Sequence, residues 1–97
     1  KAAIIGLTKQ LAFELAPKKI RVNCVVPGPV NTSMANDLTT STERRLLKTL
    51  TPLSKLAEPY DIANSISFLL TETHSRHITG QTITVDGGLS MAFKPYI

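Results

Sequence analysis

The sequence predicts an α/β protein in which helices alternate with short strands of a parallel sheet. Three observations carry that reading. A long apolar helix pattern opens the chain at residues 1–16. A β-branched run, Ile20-Arg21-Val22-Asn23-Cys24-Val25-Val26, follows it and is closed by Pro27-Gly28. A second strand pattern, Gln81 to Asp86, comes only after two further helix patterns.

Residues 1–16 are rich in Ala and Leu and contain no proline. At about 100° per residue their apolar side chains point almost all the way round, with a narrow polar gap near Gly6, Gln10 and Glu14. Such a helix is expected to be covered on two sides. Pro17 ends it, and Lys18-Lys19 put cations near its negative C-terminus. In the strand over 20–26, Ile20, Val22, Cys24 and Val26 share one face while Val25 helps to fill the other. Burial on both faces suits a parallel sheet. Cys24 reads as a small buried hydrophobe, and Asn23 as a hydrogen-bonding strap near the strand's end.

Pro27 to about Thr39, rich in Pro, Asn, Ser and Thr, reads as a loop. Thr40-Ser41-Thr42-Glu43 is a capping-box pattern, predicting a short helix from Ser41 to about Leu50 that stops before Pro52. A third helix begins near Glu58-Pro59, with proline in its first turn and Asp61 inside it. Ile62, Ile66, Leu69 and Leu70 have the spacing of a buried stripe along it, and His74 and His77 fall near its end. Thr79-Gly80 marks a turn, Gln81 to Asp86 alternates as a strand, and Asp86 reads as a turn residue before Gly87-Gly88. The order is therefore helix, strand, helix, helix, strand, without internal repeats. Two strands cannot form a parallel sheet covered on both faces, and the first helix has no preceding strand to pack on. Residues 1–97 are accordingly expected to be the C-terminal portion of a larger domain.

Composition narrows the function classes. The 97 residues are 42% apolar and 5% aromatic, which suits one small globular domain at most. The formal charge of +4 comes from 11 Lys+Arg against 7 Asp+Glu, but the cations are scattered and the longest runs are Lys18-Lys19 and Arg44-Arg45. Aromatics do not interleave with them, so no nucleic-acid partner is expected. No apolar stretch approaches the roughly 18 residues of a membrane span. One cysteine cannot form an internal disulfide, and His74 with His77 lacks a third ligand, so no metal is expected.

Taken alone, Lys1 would be a solvated lysine and Pro27-Gly28-Pro29 a simple exit from a strand. Together with their surroundings they say more. Lys1-Ala2-Ala3, Gly6-Leu7-Thr8-Lys9 and Glu14-Leu15-Ala16 resemble the helix that carries the catalytic lysine of short-chain dehydrogenases/reductases. Ile20-Arg21-Val22-Asn23 and Pro27-Gly28-Pro29-Val30-Asn31-Thr32 resemble that family's sixth strand and cofactor loop. Thr79-Gly80-Gln81 and Val85-Asp86-Gly87-Gly88 resemble its closing strand.

The resemblance implies a doubly wound Rossmann sheet that binds NADP or NAD, with NADP ahead on the likeness to reductases. It implies hydride transfer between the nicotinamide ring and a small carbonyl or secondary alcohol. Lys1 would be the lysine of the family's Tyr-x-x-x-Lys pair, both catalytic and cofactor-binding. The tyrosine would lie four positions before it, outside this sequence, as would the catalytic serine, the asparagine and the glycine-rich loop. The 97 residues alone are therefore expected to be inactive, and the alternative reading is a piece that serves only in subunit association. Pro27, Gly28, Val30 and Thr32 would bind cofactor, Val30 through its backbone and Thr32 through its hydroxyl. Residues 33–57 would form a substrate lid, with Met34 and Leu38, and also Leu46 and Leu47, as an apolar wall. The first and third helices and the last strand would pack in a homodimer or tetramer. The ending Lys94-Pro95-Tyr96-Ile97 is not a peroxisomal Ser-Lys-Leu signal; the cytoplasm is the default expectation, with the mitochondrion as the alternative.

Overall fold

The computed structural model describes residues 1–92, so the Lys94-Pro95-Tyr96-Ile97 ending lies outside the described residues. The chain is α/β. Helix α1 (Ala2–Leu15) runs into a 3₁₀ turn over Ala16–Lys18. Strand β1 (Cys24–Pro27), helices α2 (Ser33–Leu38), α3 (Ser41–Leu50), α4 (Pro59–Leu70) and α5 (Glu72–Ser75), strand β2 (Thr82–Val85) and helix α6 (Leu89–Ala92) follow. The two strands pair directly. The pairing is parallel: Cys24 N–H donates to the Gln81 carbonyl at 2.8 Å, and Gly28 N–H to that of Val85 at 3.0 Å.

The chain divides into two compact units. One comprises Lys1–Val26 and Asn64–Ile83, the other Pro27–Ala63 and the chain from Thr84 onward. In the first unit α1 buries Thr8 and Ala12, while Ile4, Leu7 and Phe13 stay exposed. The segment before β1 is held by side chains. Asn23 Nδ2 donates to the Ile78 carbonyl at 3.0 Å and its Oδ1 accepts the Gln81 N–H at 3.0 Å. Val22 N–H donates to Thr79 Oγ1 at 3.1 Å. Arg21, whose side chain is mostly buried, reaches the Leu69 carbonyl at 2.8 Å, the Ile78 carbonyl at 3.3 Å and Glu72 Oε2 at 3.5 Å. One guanidinium thus satisfies a carbonyl at the end of α4, where helices leave such groups without partners.

Several expectations change here. The strand expected over 20–26 covers Cys24–Pro27, and the one expected over Gln81–Asp86 covers Thr82–Val85. The Asn23 side chain occupies backbone groups that a longer ladder would use. Cys24 is half-buried, not fully enclosed. Of the stripe on α4, Leu69 is buried but Ile66 and Leu70 are exposed. Helix α4 stops at Leu70, and after Thr71, whose hydroxyl bonds back to the Ser67 carbonyl, a separate turn, α5, begins. His74 therefore sits on α5 and His77 beyond it.

In the second unit, Thr40 caps α3 by the full reciprocal arrangement. Its Oγ1 accepts the Glu43 N–H at 3.0 Å and its N–H donates to Glu43 Oε1 at 2.9 Å. The loop expected over 27–39 contains helix α2, nucleated by Thr32. Leu89 and Thr51 are buried in this unit, and Gly87 is packed so closely that a Cβ there would lie 2.7 Å from Thr51 Cγ2. No helix among the described residues is long and apolar enough to cross a membrane.

Candidate functional site

Residues Pro27 to Thr32 leave β1 at its carboxyl end, where open α/β sheets place ligands, and each position is constrained differently. A Cβ on Gly28 would lie 2.7 Å from Asp86 Cβ and 2.9 Å from its Cα, so only glycine fits. The expected close approach of Gly28 is thus made to Asp86. Asp86 is itself fixed: its Oδ1 accepts the Gly88 N–H and its Oδ2 the Ser90 N–H, both at 2.9 Å. The Ser90 amide first, then the Gly88 amide, hold its carboxyl below the ordinary 3.8. Gly88, at φ +91, takes a backbone turn that other residues rarely adopt.

Val30 forms a parallel bridge with Ala57. The bonds of that bridge belong to its neighbours: Pro29 C=O accepts the Ala57 N–H at 3.3 Å, and Asn31 N–H donates to the Ala57 carbonyl at 2.8 Å. In this geometry the N–H and C=O of Val30 itself point away from Ala57. Thr32 then caps α2, its Oγ1 accepting the Ala35 N–H at 3.0 Å and its carbonyl the Asn36 N–H at 2.9 Å. A hydroxyl that accepts one bond retains its own hydrogen for another acceptor.

Pro27, Gly28, Val30 and Thr32 therefore lie in one braced loop of the second unit. Met34 and Leu38 follow on α2 and are exposed, as is Leu46 on α3, whereas Leu47 is half-buried. Lys1 belongs to the first unit. It is exposed, and its carbonyl accepts the Ile5 N–H at 3.1 Å at the head of α1. Among the described residues no group of three or more His, Cys, Asp and Glu could hold a metal, so His74 and His77 stand apart from any such cluster.

Several residues around the loop were not singled out as site residues from the sequence. Asn31 Nδ2 donates to Glu58 Oε1 at 3.2 Å, and Asn31 Oδ1 accepts from Asn36 Nδ2 at 3.1 Å. Asp61 Oδ2 accepts the Glu58 N–H at 2.7 Å. Arg44 Nη1 donates to the Asn36 carbonyl at 3.0 Å, the Thr39 carbonyl at 2.8 Å and Thr39 Oγ1 at 3.3 Å, tying the end of α2 to the start of α3. Asp61 has a local signal, since an acid three residues after Glu58 can cap the start of α4. The bonds of Asn31 and Arg44 depend on how the chain folds back, and no spacing announces them.

Known proteins match nearly the whole of this chain. The family model described as Enoyl-(Acyl carrier protein) reductase matches residues 1–90. Human dehydrogenase/reductase SDR family member 4 is 46% identical over 89 residues, which are 91% of this chain and 32% of that protein. The 3-oxoacyl-[acyl-carrier-protein] reductase FabG of Staphylococcus epidermidis is 44% identical over 91 residues, 94% of this chain and 36% of that one. This chain thus spans about a third of the length of these relatives. A short chain dehydrogenase family protein from Francisella tularensis superimposes with a TM-score of 0.86 at 35% identity, over 94% of this chain and 41% of that one. A 4-hydroxyisoleucine dehydrogenase complexed with NADH gives 0.84 at 33% identity, over 93% of this chain and 37% of that one. With the family model matched over residues 1–90 and these structures superimposing over most of the chain, it belongs to the short-chain dehydrogenase/reductase family and to the C-terminal portion of that family's Rossmann fold.

Proposed function

We propose that the protein containing this chain is a nicotinamide-dependent oxidoreductase that interconverts a carbonyl and a secondary alcohol. The observation that carries the reading is Val30. Its N–H and C=O are turned away from the bridge with Ala57, so one donor and one acceptor stand side by side, which matches the carbonyl and amino group of a carboxamide. The Thr32 hydroxyl retains a hydrogen for a carboxamide or phosphate oxygen. These residues fit a nicotinamide cofactor, which when bound supplies or accepts the hydride. Gly28, locked against Asp86, fixes where the loop leaves the sheet, while Pro27 and Pro29 restrict its path.

Lys1 takes the role its motif implies. A phenol with a pKa of about 10 exchanges protons poorly near neutrality. An ammonium beside it favours the phenolate and brings that pKa toward the operating pH. Lys1 would do this for a tyrosine contributed from outside these 97 residues, and would also hydrogen-bond the cofactor's ribose. The likeness to a 3-oxoacyl reductase favours a carbonyl reductase with NADP, while the NADH complex of one structural relative keeps NAD as the alternative. Met34 and Leu38 are the proposed substrate contacts, on a lid over 33–57.

A second reading is motivated by Ile4, Leu7 and Phe13, which are 58%, 57% and 80% exposed on α1. A chain retained only for association with a second copy would need exposed apolar side chains of this kind and no chemistry. One experiment separates the two. The full-length protein is incubated with NADPH or NADH and a short 3-oxoacyl ester, and carbonyl-dependent loss of the reduced cofactor is followed. Turnover is expected, and Lys1→Met should lower kcat at least about a hundredfold, the lower range for general acid–base participation. Absence of turnover with both cofactors across a panel of carbonyls, in a protein that still self-associates, would favour the second reading.

A further inference from the structure

The second unit contains a cleft of about 400 Å³ beside the loop described above, with Asn31 on its wall. Three cationic side chains line it, Arg44 and Lys48 from α3 and Lys55 from the following turn. Neither Lys48 nor Lys55 has an ion-pair partner among the described residues. Arg44 is held in place through Nη1 by two carbonyls and a hydroxyl, and those bonds leave its Nη2 and Nε unengaged. The two carboxylates on the wall have internal donors: Glu58 takes the Asn31 amide and Asp61 the Glu58 N–H.

We propose that this cleft binds an anionic group, carboxylate or phosphate, carried by the substrate. A fixed guanidinium next to two exposed ammonium groups suits an oxyanion, since the planar fork sets orientation and the lysines add charge without fixed geometry. Three cations outweigh two carboxylates that are already engaged. Because Asn31 both lines the cleft and sits between Val30 and Thr32, an anion there lies next to the cofactor loop. Assigning the anion to the substrate rests on the oxidoreductase reading; the existence of the anion site does not.

The test uses the full-length protein. Inorganic phosphate and propionate are titrated at constant ionic strength by calorimetry, into the wild type, a Lys48→Gln/Lys55→Gln variant and a Lys9→Gln control. Saturable binding of at least one anion is expected, unchanged in the control and weakened at least about fivefold in the double variant, as befits loss of close charge contacts. The anion that shows the loss identifies the group. No saturable binding, or equal binding by all three proteins, overturns the proposal. If the double variant does not fold, each single substitution is read in the same way.

A kinetic arm compares an oxo acid with its methyl ester. In the double variant KM should rise for the acid and not for the ester, with kcat kept for both. An equal change for acid and ester would overturn the assignment to substrate. If the wild type turns over neither compound nor any other carbonyl, the oxidoreductase reading fails while the titration still decides the anion site.

Discussion

At position 28 the decisive quantity is a distance. A Cβ there would fall 2.7 Å from Asp86 Cβ, with the Asp86 backbone 2.9 Å away, so neither neighbour can yield by a rotamer change alone. Gly28→Ala must push the loop off β2, at a cost of about 1–3 kcal/mol typical of overpacking. The expected outcome in the full-length protein is a lower melting temperature and a raised KM for the cofactor, with KM for the carbonyl changing less. Thermal denaturation and steady-state kinetics check it. Asp86 adds a pH dependence. Its folded carboxyl is depressed below 3.8 by the Ser90 and Gly88 amides, which favour the carboxylate, so the ionised Asp86 stabilises the folded state. That stability is fully present above the unfolded value and is lost as pH falls through the lower folded value. Asp86→Asn should therefore be less stable than wild type near neutrality, and the gap should close in strong acid. Melts recorded across the acid range would show whether the two curves converge.

Among the elements, α3 was the most legible and α2 the least. Thr40 and Glu43 lie three apart and satisfy each other's backbone groups, so the helix start depends on neighbours in sequence. Thr40→Ala should cost about 1 kcal/mol and raise amide exchange in the first turn of α3, while Thr40→Ser should not; hydrogen exchange reads both. Helix α2 was missed although its cap, Thr32, was singled out for another task. A six-residue helix has too few apolar positions for its period to show against Pro, Asn and Ser. The ends of β1 and β2 were overestimated because β-branching marks where a chain prefers to be extended, whereas Asn23, Arg21 and Thr79 decide which backbone groups pair with side chains. The same holds for α4, where Leu70 belongs to the periodic stripe and yet is 77% exposed.

For the molecule as a whole, the described residues bury only Ala12, Leu69 and Leu89 among apolar side chains, while Phe13, Met34, Leu38 and Leu70 stand more than two-thirds exposed. Burial is the main favourable term in folding, and it must offset a conformational entropy of similar size. A two-stranded sheet with so little enclosed apolar surface does not meet that requirement. The 97 residues expressed alone should aggregate or show a broad, non-cooperative thermal transition. A sharp transition in a monodisperse sample would contradict this.

What could be read from the order of residues was local or repeated: the capping box at Thr40, the proline-started α4, the strand signals around Cys24-Val25-Val26 and Thr82–Val85, and motifs whose spacing placed the chain in its family. These depend on contacts within a few residues, or on patterns that survive without knowing the fold. The seating of Gly28 against Asp86, the outward turn of the Val30 backbone, the bracing by Asn31 and Glu58, and the convergence of Arg44, Lys48 and Lys55 on one cleft were decided by tertiary structure. The first three join segments distant in the chain through backbone atoms or unpatterned side chains, and the cleft adds the wall of Asn31, Glu58 and Asp61 to the cations of α3 and its following turn; such partners are chosen only when the chain folds back on itself.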